Sequence, residues 1–294
     1  YEVVGPVAHI VLNRPKYNNA QNSQMTYALD AAFRRAVDDD AVRAIVLRGE
    51  GMGQTVLLAT GFDRRMLIRV LGKADMDAGP SMDITDEIVP VGTYSFSVSD
   101  PNSLKVGDTI MITRFSSKEW IAALGGDKPL TEQAQLWRPG SRDIVWDRVV
   151  TKIEGSKVTV DAPITTAIEQ RFGGASLRKY NWPGRVSQVG IENMTLDTTF
   201  EKDNPVDEAH SWVGITMENA ENAWVRQVEF RHFSGGAVQI WETCKYVTVE
   251  DCKSLEPVSE NGGFRRHTFL TGGQMTLFLR CWSENGRHDF TTWH

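Results

Sequence analysis

At 294 residues the chain has room for two domains or one long solenoid, and its 41% hydrophobic and 24% charged residues fit a protein with a buried core, not a disordered one. A formal net charge of −6 provides no basic field, which speaks against nucleic acid or an anionic membrane as a partner. No apolar run reaches membrane-spanning length, so membrane insertion is not expected; the first residues lack signal-peptide order, but a start on Tyr1 says little about export.

In chain order, "VAHIVL" predicts a short strand, "NRPKYNNAQNS" a polar loop, and the following stretch a helix capped by Asn22 or Ser23. Met25, Leu29, Ala32, Phe33 and Ala36 recur at helical spacing on one face, and "DDD" closes the helix. A second strand follows at Ala44 to Leu47, completing a βαβ unit that requires a parallel sheet.

From Gly51 the pattern changes to short apolar runs, turns and glycines. "TVLLATG" and "RMLIRVLG" read as strands. Alternation at Tyr94, Phe96 and Val98, and at Ile110 and Ile112, marks strands around the "SDPNS" turn. "KEWIAALGGD" suggests a helical turn, and "RVVTKIEGSKVTVDAPIT" a hairpin with "EGSK" at its tip.

The last third repeats. "VGIENMTLD", "AWVRQVEFR", "YVTVEDCKS" and "TLFLRCWSE" each place an apolar residue, two mostly polar ones and a second apolar residue. The first positions are Ile191, Val225, Val249 and Phe278, at intervals of 34, 24 and 29; the second are Met194, Val228, Cys252 and Cys281. Such intervals suit coils of a β-solenoid, each burying its apolar face on the next, with the second positions forming an inward ladder. A β-sandwich is the competing fold. The three cysteines, Cys244, Cys252 and Cys281, lack metal-ligand spacing and read as small buried hydrophobes; a Cys252–Cys281 disulfide is left open, as is the compartment.

Two resemblances attach to these residues. Residues 1–51, "VAHIVLNRPKYNNAQNSQMTYALDAAFRRAVDDDAVRAIVLRGEG" above all, resemble the amino-terminal segment of the crotonase (enoyl-CoA hydratase/isomerase) superfamily. That resemblance implies a cytoplasmic parent and a loop along coenzyme A at Lys16, Tyr17, Asn19 and Ala20. The family's oxyanion-hole segment is replaced by "MGQTVLLATG", and its catalytic carboxylates have no counterpart downstream, so its chemistry is not expected.

The rest, from "VLRGEGMGQTVLLATG" through "VGIENMTLD", "SWVGITMENAENAWVRQVEFRHFSGGAV" and "YVTVEDC", resembles right-handed parallel β-helix proteins of the pectate-lyase-like superfamily. The expected fold is mainly β: a crotonase-like βαβ fragment (1–51), first β-helix coils (52–88), an inserted β module (89–166) and further coils (167–294), with more coils expected after "HDFTTWH". The resemblance implies an extracellular or periplasmic parent acting on a polysaccharide or oligosaccharide. It also implies calcium as a cofactor, although no acidic cluster matches the family's ligands.

Lyases of that superfamily need a base and positive charge beside a developing carboxylate-enolate; its hydrolases need paired carboxylates. Candidate catalytic groups fall in loops after the repeat strands: His210, Arg231, His232, Glu260, Arg265, Arg266, His267, His288 and Asp289. Trp212, Trp241, Trp282 and Arg287 are candidates for holding sugar, and together these residues suggest a cationic groove for a uronate polymer. The bland reading is a core Trp, a hydrogen-bonded structural His and paired surface charges. A non-catalytic glycan-binding or structural solenoid is the second functional expectation, and a CoA-thioester enzyme a distant third.

Overall fold

The computed structural model describes residues 1–14, 23–49, 55–128, 131 and 136–293. The chain divides into two compact units, one formed by residues 1–74 with 184–294 and the other by residues 75–183.

The first unit begins with β1 (Glu2–Val4), β2 (Val7–Leu12), α1 (Ser23–Val37), β3 (Ala44–Gly49), β4 (Val56–Ala59) and β5 (Met66–Leu71). The expected βαβ unit is present: β2 and β3 pair in parallel, Ile10 opposite Leu47. The helical face read from the sequence does the packing, since Met25, Leu29, Ala32 and Phe33 lie on the core and Ala36 is buried. Asn22, the first cap candidate, lies outside the described residues.

The second unit holds β6 (Asp77–Asp83), β7 (Ile88–Val89), β8 (Ser95–Ser97), β9 (Thr109–Arg114), α2 (Lys118–Ala123), β10 (Ile144–Glu154), β11 (Lys157–Val160), β12 (Ile168–Glu169) and β13 (Ala175–Asn181). Its six-stranded sheet, β6–β13–β9–β10–β11–β8, is antiparallel throughout. Phe96, Ile110, Ile112, Trp146, Val158 and Leu177 fill a separate core. The β10–β11 hairpin turns at Gly155, whose φ of 60° suits glycine. Tyr94 is half-exposed at the edge of β8, while Phe96 and Val98 face inward. Ser117 caps α2, its hydroxyl accepting from the Trp120 N–H.

The first unit resumes with β14 (Val186–Ser187), β15 (Val189–Thr198), β16 (Val213–Glu218), β17 (Ala220–Arg231), β18 (Gly236–Ile240), β19 (Lys245–Glu250), β20 (Lys253–Leu255), β21 (His267–Thr271), β22 (Leu277–Leu279), β23 (Trp282–Ser283) and β24 (His288–Thr292). Its sheets are parallel except at β1–β2, and equivalent strands of successive turns pair with each other, which is a parallel β-helix. Among the described residues, coils start at β3, β15, β17, β19 and β22.

The repeat positions meet in register. Ile191 lies opposite Val225, Val225 opposite Val249, and Val249 opposite Phe278. The ladder continues backward through Leu47 to Ile10, so β3 pairs with β2 on one edge and β15 on the other. Met194 pairs with Val228, and Met194, Val228 and Cys252 are buried inside the solenoid.

Two apolar residues three apart would point to opposite faces of a straight strand. Both point inward here because the residue before the second bends the chain with left-handed backbone: Asn193, Gln227, Asp251 and Arg280, at φ of 56°, 54°, 54° and 51°. Two further columns sit at the same coil spacing, Gln188–Asn222–Tyr246–Met275 and His232–Glu256–Asn285. Coil shape thus rests on backbone that costs a side-chain-bearing residue about 1–2 kcal/mol. Gln227→Gly, at an exposed corner, should therefore raise stability by up to about 1 kcal/mol after glycine's own unfolded-state entropy is counted; thermal unfolding measures it, and a loss would refute the strain argument.

Candidate functional site

The sheet β5–β16–β18–β21–β24 sends Ile68, Ile215, Val238, Phe269 and Phe290, mutually in register, along one inward row. Beside this sheet lies a groove of about 320 Å³ lined by Arg64, Arg65, Met66, Trp212, Val213, Gln239, Trp241, Phe264, His267, Leu270 and Trp293. Adjacent strands supply it, so residues distant in sequence converge.

One end is a strand row. Ile240, Thr271 and Thr292 are paired neighbours, which places Trp241, Gly272 and Trp293 next in line. Gly272 is the gap in that row, since a Cβ there would lie 3.1 Å from the Trp293 carbonyl oxygen. The flanking rings come within 6.2 Å, centroid to centroid, and Phe264 stacks on Trp293 at 5.7 Å. These aromatics are open to solvent: Trp293 is 44% and Phe264 69% exposed.

At the other end Trp212 donates its indole N–H to the Glu208 carbonyl at 3.1 Å. The guanidinium of Arg64 lies 4.7 Å from its ring centroid and that of Arg265 6.0 Å away. Both arginines bind the Glu208 carboxylate, Arg64 at 3.0 Å and Arg265 through both of its oxygens. The Arg265 hydrogen bond, chiefly, holds the Glu208 carboxyl below its ordinary value of 4.5. Arg65 pairs with Asp63, and Arg266 is tied to Ser259 and the Asn285 carbonyl. The arginines expected to make a cationic groove are thus largely balanced or committed to structure.

His267 and His288 are paired neighbours on β21 and β24 with rings 4.7 Å apart. The His267 Nε2 lies 3.3 Å from the Gly263 carbonyl oxygen, which Arg287 also engages. Burial, foremost, pulls the His267 pKa below 6.5, and His288 and Arg287 act in the same direction, leaving a neutral ring at neutral pH.

The other sequence candidates lie elsewhere. His210 is fully buried, its Nε2 2.9 Å from Ser234 Oγ and 3.1 Å from the carbonyl oxygens of Asp207 and Val258, so it ties loops together inside the molecule. Arg231 and His232 occupy a coil corner: Arg231 pairs with Glu229 and Glu256, and His232 Nδ1 lies 2.7 Å from Asp197. The Glu260 backbone N–H hydrogen-bonds Glu208, while Asp289 accepts from Ser283 at 2.6 Å. Trp282 is exposed outside the groove lining. Lys16, Tyr17, Asn19 and Ala20 lie outside the described residues. Among the described residues no group of three or more His, Cys, Asp or Glu could hold a metal ion, and no helix is long and apolar enough to cross a membrane.

Sequence reasoning missed Arg64, Arg65, Met66, Val213, Gln239, Phe264, Leu270 and Trp293. A signal existed for one of them: "AVQIW" and "DFTTW" both follow a strand of the β5–β16–β18–β21–β24 sheet with tryptophan, visible once that strand and not only the first is aligned between coils.

The strand pairing makes the chain a mainly β, parallel β-helix protein. No family model matches it. It is similar to three phage tailspikes of known structure. Gp61 of Pseudomonas phage phi297 is 11% identical, over 89% of this chain and 42% of that one, at a TM-score of 0.38. Gp49 of Pseudomonas phage LKA1 is 11% identical, over 85% and 52%, at 0.35. Gp54 of Acinetobacter baumannii phage AP22, solved in complex with A. baumannii capsular saccharide, is 12% identical, over 94% and 51%, at 0.38. A short stretch of 53 residues is 47% identical to EchA13 of Mycobacterium tuberculosis, a protein named for enoyl-CoA hydratases, and covers 17% of each chain. The chain therefore spans about half the length of these tailspikes and far less of the curated relative.

Proposed function

We propose that the groove binds a polysaccharide or oligosaccharide along the parallel sheet, its tryptophans receiving the C–H faces of sugar rings. The observation that carries this reading is the Trp241–Gly272–Trp293 row with Trp212 at the opposite end of one groove: Trp293 and Phe264 are exposed, and Trp241 and Trp212 are partly so. Aromatic rings with polar groups at their edges suit ligands that are apolar on one face and wet at the rim. Gln239 and His267 supply hydrogen-bonding groups among the rings.

The finer reading is a lyase or hydrolase of a uronate polymer. What supports the lyase is His267, a neutral imidazole suited to taking the C5 proton, beside the guanidinium of Arg287. Titrating intrinsic tryptophan fluorescence with neutral and uronate oligosaccharides tests the groove, and Trp241→Ala should weaken binding about tenfold, roughly 1.4 kcal/mol. No saturable response to any glycan would sink the reading. Unsaturated products identify a lyase, new reducing ends a hydrolase, and saturable binding without either a binding module. A His267 base predicts turnover that rises with pH and is half-maximal below pH 6.5, because the proton must be off the ring for it to act.

We also propose that residues 1–51 are a crotonase-like piece joined to a β-helix protein of the pectate-lyase-like kind, supported by the change of pattern at Gly51 and the short match to EchA13. Genomic sequence across the codons for Arg43 to Gly53 tests this, and one continuous gene with flanking homologues of the same arrangement would argue against it. A CoA function is the remaining reading, and failure to bind CoA would remove it.

A further inference from the structure

The groove leaves the cysteines unused. Cys252 and Cys281 occupy the same place in successive coils, each directly after a left-handed corner, Asp251 and Arg280. Their following residues are paired, Lys253 with Trp282, and the Trp282 N–H donates to the Cys252 carbonyl at 2.8 Å. Neighbouring strands lie about 4.8 Å apart, inside the Cα separation of about 4.4–6.8 Å that a disulfide spans. Each thiol points at carbonyls of its own and the preceding coil, Cys252 at Glu250 (3.3 Å) and Val225 (3.6 Å), Cys281 at Leu279 (3.5 Å) and Val249 (3.4 Å), with Cys252 fully buried and Cys281 half-buried. Cys244 is buried elsewhere in the core.

We propose that Cys281 and Cys252 form a two-thiol modification site, in which Cys281 attacks a small-molecule disulfide of the glutathione class and Cys252 converts the adduct into a disulfide between the last two described coils. In the first step the Cys281 thiolate bonds to one glutathione sulfur, the S–S bond breaks and one glutathione thiolate leaves. In the second, Cys252 gives up its proton and attacks the Cys281 sulfur, expelling the second glutathione thiolate. Two protein thiols are oxidised, one small disulfide is reduced to two thiols, and the leaving thiolates take up the two protons. The division of labour follows from position. Cys281 is the only partly open thiol of the three, and its neighbour Cys252 draws it down to about 7, whereas burial pushes Cys244 up to about 11.

Intact-mass measurement of the wild-type protein treated with oxidised glutathione, followed by non-reducing peptide mapping, tests the site. The expected product has lost two hydrogens and yields one cross-linked peptide pair containing Cys252 and Cys281. Cys252→Ala should stop at a glutathionyl adduct on Cys281, and Cys281→Ala should remain unmodified. Because Cys252 is buried and its variants could fold poorly, alkylation of the reduced wild type at neutral pH gives a second measurement. Cys281 should react at least tenfold faster than Cys244. Modification of Cys244 at a comparable rate, or a wild type that keeps both Cys252 and Cys281 as thiols under oxidised glutathione, overturns the proposal.

Discussion

Phe230→Ala should lower the stability of the β-helix unit by about 3–5 kcal/mol, the range for deleting a large buried aromatic. The ring has no exposed surface and sits in the column Leu57–Leu196–Phe230, after which the ladder passes to the small residues Ser254 and Ser283. It meets Phe233 edge-on at 6.3 Å and fills the space over Gly214, where a Cβ would lie 2.4 Å from a ring carbon. The cavity left by Ala has few ways to collapse, because the neighbouring strands are pinned by hydrogen bonds on both edges. Gly214→Ala should be destabilising alone, and Phe230→Leu should relieve part of that cost in the double variant. Denaturant unfolding followed by hydrogen exchange within β15 to β19 separates this unit from the antiparallel one; a loss below 1 kcal/mol would mean that the column repacks freely.

Glu208→Gln should change what the groove prefers. Glu208 takes the guanidinium groups of both Arg64 and Arg265, which lie over the Trp212 ring. Without its charge the two arginines carry positive charge beside the aromatic platform, so affinity for uronate oligosaccharides should rise about tenfold relative to neutral ones, close to 1.4 kcal/mol. The gain should shrink with added salt. Equal change for both ligand classes would show that the charge balance at this edge does not set preference. The same carboxylate makes an acid-stability prediction. Its folded pKa lies below the ordinary 4.5, so its stabilisation is complete above that value and is lost as pH falls through the depressed one. The wild type should therefore lose more stability than Glu208→Gln on acidification below about pH 4.5.

The solenoid was legible because its core repeats: Ile191, Val225, Val249 and Phe278 had to be apolar to stack, and their spacing named their partners. The βαβ start was legible for a similar reason, as Met25, Leu29, Ala32 and Phe33 follow the helical period. The corners were hidden. Left-handed backbone at Gln227, Tyr246, Met275 and Arg280 is imposed by coil stacking, and none of these residue types announces it. The groove was half visible, for Trp212 and Trp241 stood out as aromatics beside strands. Their partners Phe264 and Trp293 depend on which loop lies over which coil, information carried by three-dimensional register. His210 and His232 look alike in sequence, yet one is sealed among carbonyls and the other is held at a corner by Asp197.

The pairing of Asp77 with Asn181 bears on how the chain can fold at all. Contact between β3 and β15 must close a loop of roughly 140 residues, a costly event for an unfolded polymer and a slow one for parallel strands. Once β6 and β13 have joined, the antiparallel unit behaves as a short clasp, and the free chain still to be closed falls to about 35 residues. Two halvings of loop length reduce the entropy of closure by about 1.2 kcal/mol. The waiting partner is the already local β2–α1–β3 unit, whose free edge offers a template on which β15, and then each later coil, can be laid down in order.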